Sequence, residues 1–125
     1  MKVSTLILAL AIAASYSLAS AGPGSHDHSP KHGGIVIAVK DVEYEVVAKS
    51  DVIQIYARDH GQAINMDGGK AKLTLLNGSE KSEVELMPAG DKLEAKGSFK
   101  VSKGSKGVAM VTLGGKTNAV RFEVK

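Results

Sequence analysis

From Ile35 to its end the chain is made of short runs in which apolar and polar residues alternate, and this period of two constrains the fold more than anything else. Val42, Tyr44 and Val46 would share one face of an extended segment, with Glu43 and Glu45 on the other. Val84 and Leu86 oppose Glu83 and Glu85 in the same way, and Val120, Phe122 and Val124 oppose Arg121 and Glu123. Alternation with one polar face is the pattern of half-buried antiparallel strands. The runs predicted as strands are Ile35–Lys40, Val42–Lys49, Val52–Arg58, Ala71–Leu76, Ser82–Met87, Lys92–Ala95, Val108–Leu113 and Ala119–Val124. Turn chemistry separates them: Lys49-Ser50-Asp51, Asn77-Gly78, Pro88-Ala89-Gly90-Asp91, Lys103-Gly104-Ser105 and Gly114-Gly115.

No segment offers a helical stripe of useful length. Seven to eight short strands imply an all-β domain over residues 35–125, an antiparallel immunoglobulin-like β-sandwich, with a small closed barrel as the alternative. With two Phe, three Tyr and no Trp, the core must be Val, Leu, Ile and Ala. Met87 and Met110 fall in strand patterns and read as core filling. The one long connection, Asp59 to Gly69, carries His60, Met66 and Asp67; its length marks it as a place for function, and Met66 reads as exposed there.

The first residues read differently. A basic start at Lys2, an apolar run from Leu6 to Ala14 and the small residues Ala19-Ser20-Ala21 form the pattern of a secretory signal peptide over residues 1–21. The run is shorter than the roughly 20 residues a bilayer span needs, and no second one follows, so stable membrane insertion is not expected. Without Lys2 the chain holds fifteen basic and thirteen acidic residues, too slight an excess to imply a polyanionic partner. There is no cysteine, which removes disulfides, thiolate nucleophiles and Cys-based metal sites together. An exported domain held by packing alone fits a bacterial periplasm.

Between signal and domain lies a leader, residues 22–34, of Gly, Pro, Ser, His and Asp, too polar to order itself. It holds His26, His28 and His32, three of the four histidines in the chain. In an extended segment, side chains two apart point the same way, so His26 and His28 can converge on one ion. Imidazole nitrogens suit Cu, Zn or Ni as divalent ions. His32, followed by Gly33-Gly34, sits at the domain edge, where it could share a site with His60 of the long connection. The competing reading is a solvated leader, with His60 a plain turn residue in Asp59-His60-Gly61.

Other chemistry finds little support. No Gly-x-Ser-x-Gly turn presents a nucleophile. The pairs Glu43/Glu45 and Glu83/Glu85 fall on expected solvent faces and read as solubilising residues, so no enzyme and no organic cofactor are expected. The C-terminal third is basic (Lys96, Lys100, Lys103, Lys106, Lys116, Arg121 and Lys125 against Glu123), but no aromatic residues interleave it for base stacking, and no nucleic-acid partner is expected.

The stretch KHGGIVIAVKDVEYEVVAKSDVIQIYARDHGQAI, and later AKLTLLNGSEKSEVELMPAGDKLEAKGSF, resembles a group of small exported bacterial proteins with a His-Gly-Gly-leading immunoglobulin-like domain. These occur with heavy-metal and copper efflux systems, and their sequences are similar to segments of the periplasmic adaptor subunits of such pumps. The resemblance covers residues 31–125. It implies a periplasmic domain linked to metal handling, with a metal-efflux component as partner, and it draws attention to His32, Gly33, Gly34, Tyr44, Tyr56, Asp59 and His60. The domain also resembles, at a distance, copper-resistance β-sandwiches whose mature chain opens on a ligating histidine; here Gly22-Pro23 would stand there instead. The expectation is a periplasmic metal-binding accessory protein using His26, His28, His32 and His60; the alternative is an interaction module with no metal role.

Overall fold

The computed structural model describes residues 29–125, so the expected signal peptide and the leader as far as His28 lie outside the described residues. The chain forms β1 (Ile35–Val39), β2 (Val42–Ala48), β3 (Val52–Asp59), β4 (Gln62–Ala63), β5 (Lys70–Asn77), β6 (Glu80–Ala89), β7 (Lys92–Lys96), β8 (Lys106–Leu113) and β9 (Lys116–Glu123). All pairings are antiparallel. Among the described residues no helix is long and apolar enough to cross a membrane.

The strands form one path, β1-β2-β3-β7-β6-β5-β8-β9, with β4 attached to β3. Strand β6 belongs to both halves of it. Residues 80–86 pair with β5, while Met87, Pro88 and Ala89 pair with β7, so the sheet turns its corner along this one long strand. The two ends of the path, β1 and β9, approach each other without forming a ladder, and the sheet is rolled nearly into a barrel.

The alternation is realised in the core. Tyr44 and Val46 of β2, Ile53 and Ile55 of β3, Leu73 of β5, Leu86 of β6, Leu93 of β7, Val111 of β8 and Val120 and Phe122 of β9 enclose a single apolar interior. Asn118 donates its amide N–H to the Tyr44 hydroxyl at 2.9 Å, which ties β9 to β2 where no backbone bonds join them. Each buried aliphatic side chain contributes roughly 1.5–3 kcal/mol relative to its exposed state.

Three expectations about individual side chains are reversed. Met66 is not exposed: it is 2% accessible and belongs to the core. The connection holding it is short of true loop character, because β4 pairs back onto β3 and Ile64 N–H donates to the Ala57 carbonyl. Met87 and Met110 do not fill the core; they are 58% and 45% exposed on the outer face of β6 and β8. Glu43 and Glu45 are buried, at 7% and 1%, although they face away from the apolar interior. Strand β2 is thus covered on both sides, and what covers its outer side defines the site.

Candidate functional site

Residues 29–34 run back over the outer face of β2 and β3 as a strap. Its anchor is the Glu45 carboxylate. Oε1 accepts the Lys31 backbone N–H at 2.9 Å, and Oε2 accepts those of His32 at 2.7 Å and Gly34 at 2.9 Å. Three peptide donors converging on one carboxylate form a compact anion cradle. Gly33 supplies the reversal it needs, with φ +77, and Gly34 the close approach. A Cβ at Gly34 would run into the Val46 carbonyl oxygen, and would lie 2.9 Å from the Val46 carbonyl carbon and 3.0 Å from Glu45 Cγ. The Gly-Gly pair is what lets this segment lie flat on β2.

The register of β2 on β3 sets Tyr56 opposite Glu45 and Arg58 opposite Glu43. The His32 imidazole stacks on the Tyr56 ring with centroids 3.5 Å apart and planes 7° from parallel. Lys92 Nζ, at the start of β7, stands 5.8 Å from the centre of the same ring. Arg58 lies 3.7 Å from Glu43 and 3.9 Å from Glu45, so one guanidinium serves two buried carboxylates. Burial pushes the Glu45 carboxyl upward, but the N–H groups of Lys31, Gly34 and His32 outweigh it, and its pKa falls below the ordinary value. Burial raises the Tyr56 phenol, with Lys92 partly opposing.

His32 itself remains exposed. Its ring face is spent on Tyr56, so what it offers a ligand is the nitrogen-bearing edge. His60 lies elsewhere, in the two-residue turn joining β3 to β4, where His60 and Gly61 take φ +53 and +83 as a type I′ turn requires. Its Nδ1 pairs with the Asp59 carboxylate. Among the described residues, no three His, Asp or Glu side chains gather as metal ligands. His26 and His28 lie outside the described residues.

The anchoring residues Glu45, Tyr56 and Arg58 escape a reading by alternation, which assigns every outward residue of β2 and β3 to solvent. The available signal was Gly33-Gly34 next to His32, a pair that asks for close backbone approach. Compared with protein-family models, curated proteins and solved structures, the chain gives no significant match in any of the three.

Proposed function

We propose that this protein is a non-catalytic, exported metal-handling accessory, working in a periplasm, in which the histidines of the N-terminal segment collect a divalent ion such as Cu, Zn or Ni. In this reading the rolled sheet is the immunoglobulin-like carrier, and a metal-efflux component is the natural recipient. The observation that carries the reading is the docked strap. It holds an exposed imidazole, His32, at a fixed place on the domain, and two more histidines, His28 and His26, precede it closely in the sequence. Three imidazoles suffice for a site of this class.

Calorimetric titration of the chain from Gly22 with Zn(II) and Cu(II) tests it. Binding at micromolar affinity or tighter is expected, with most of it lost in the variant carrying His26→Ala, His28→Ala and His32→Ala. Cu(II) should also quench tyrosine emission, since Tyr56 lies against His32 and there is no Trp in the chain. Equal isotherms for wild type and triple variant would end the proposal.

A second reading, an interaction module, is favoured by one observation. Leu76, Met87 and Met110, the large apolar side chains exposed among the described residues, all lie on the outer face of β5, β6 and β8. Met87 and Met110 flank a depression of about 400 Å³ that Lys70 and Lys72 also line. Methionine-bearing surfaces adapt readily to partners. Partner capture that survives chelators and the triple histidine change, but not Met87→Ser with Met110→Ser, would select this reading.

A further inference from the structure

We infer that Met87 and Met110 form a modification site, where hydroperoxides convert both thioethers reversibly to sulfoxides, changing the outer face of the sheet and leaving the fold intact. This holds whether or not the chain binds an ion. The sequence has four methionines and no cysteine, so thioethers are the sulfur that an oxidant meets. From Gly22 onward they are Met66, Met87 and Met110, and the fold treats them in two ways. Met66 is 2% accessible, whereas Met87 and Met110 are 58% and 45% exposed. Oxidation of sulfur follows access to it.

The outward placement is locked by neighbours in the chain. Ala109 and Val111, on either side of Met110, are fully buried, and so is Leu86 beside Met87. Neither methionine can turn inward unless those residues leave the core. Met110 stands opposite Lys72, and Lys72 opposite Glu85, two residues before Met87, so both sulfurs lie on one face. Both line the depression of about 400 Å³ that Lys70 and Lys72 share. In the reaction a sulfur lone pair attacks the near oxygen of the hydroperoxide. The O–O bond breaks as the S–O bond forms, and the proton passes to the departing oxygen, which leaves as an alcohol, or as water from hydrogen peroxide. Sulfur loses two electrons and the peroxide gains them. The added oxygen enters open space, where the lysine ammonium groups are donors suited to the S–O dipole. The same oxygen on Met66 would lie in the apolar interior, where a polar atom without a partner is costly.

The test exposes the chain from Gly22 to hydrogen peroxide, with free methionine in the same solution, and maps each oxygen by proteolysis and mass spectrometry. Met87 and Met110 should oxidise within about threefold of the free amino acid, and Met66 more than about a hundredfold more slowly, because it reacts only when the core opens. The doubly oxidised protein should keep its Tm within about 4 °C and elute earlier from a phenyl column. Methionine sulfoxide reductases A and B together, one for each epimer, should restore the original retention. Met87→Leu with Met110→Leu should take up no oxygen over the same period. Oxidation of Met87 or Met110 no faster than that of Met66 would overturn the inference. So would a larger fall in Tm on gaining two oxygens, unchanged retention, or sulfoxides that the reductases leave in place.

Discussion

Replacing Gly34 with alanine asks directly how much the strap is worth. The new methyl group would enter the Val46 carbonyl, a backbone group of a strand paired on both sides, so β2 will not give way. The strap must lift instead. Three N–H bonds to an ionised carboxylate are worth about 1.5–3 kcal/mol each, and the ring stack adds roughly 0.5–1.5 kcal/mol. Against this stands the cost of fixing residues 31–34, about 1–2 kcal/mol apiece. Taken at the middle of each range, the difference is a net docking free energy of about 2 kcal/mol, and it caps the damage, because undocking is always open to the mutant. Alanine also restricts the unfolded chain, offsetting about 0.4–1 kcal/mol. A loss of roughly 0.5–2 kcal/mol is therefore expected.

Urea unfolding measures that loss, and proton NMR of the His32 ring shows whether the strap has left, because stacking on Tyr56 shields its protons. Gly33→Ala is the control. Nothing lies within 4 Å of its Cβ, so only the backbone strain of φ +77 acts, about 1–2 kcal/mol. The two variants can thus cost similar amounts, but Gly33→Ala should keep the shielded His32 signals and Gly34→Ala should lose them. Shielded signals and unchanged stability in Gly34→Ala would refute the reasoning.

Other consequences follow from single contacts. The depressed Glu45 pKa contributes stability that is fully present above the ordinary Glu value near 4.5 and is lost as pH falls through the lower folded value. Urea stability between pH 6 and pH 3 should therefore drop more steeply in wild type than in Glu45→Gln, and parallel curves would contradict this. Met66→Ala should cost about 2–5 kcal/mol, whereas Met87→Ala and Met110→Ala should stay within about 0.5 kcal/mol; equal losses in chemical denaturation would mean the burial is misassigned. Tyr44→Phe removes the acceptor of the Asn118 amide and should lower stability by about 1 kcal/mol in the same assay, with no change if water replaces the hydroxyl.

The strands were legible because their signal is local. Val84 and Leu86 between glutamates, or Val120 and Phe122 around Arg121, carry their burial in their own spacing, and the eight runs foreseen correspond to β1–β3 and β5–β9. The methionines were not legible in this way. Met87 sits at the corner where β6 passes from β5 to β7, so the face it presents depends on a bend that no period records. Met66 is drawn inward by the pairing of β4 and the turn that Gly69 N–H closes on its carbonyl. Glu43 and Glu45 obey the alternation, since they do point away from the apolar core. What failed was the inference from outward to solvated, because the covering strap is contributed by residues 29–34, too polar to be counted as structure.

That failure moves the boundary of the domain. A polar leader followed by a strand invites a division at Ile35, with everything before it expendable. The hydrogen bonds place the division earlier, since the Glu45 carboxylate accepts the backbone N–H groups of residues 31, 32 and 34. A chain begun at Ile35 would lose these three donors and open the Glu45 carboxylate to water, with the net docking free energy of the strap lost. The Lys-His-Gly-Gly stretch is thus both the last turn of the tail and the outermost layer of the fold. A histidine placed there cannot change its surroundings without the domain registering it, which a histidine farther out along the chain could do freely.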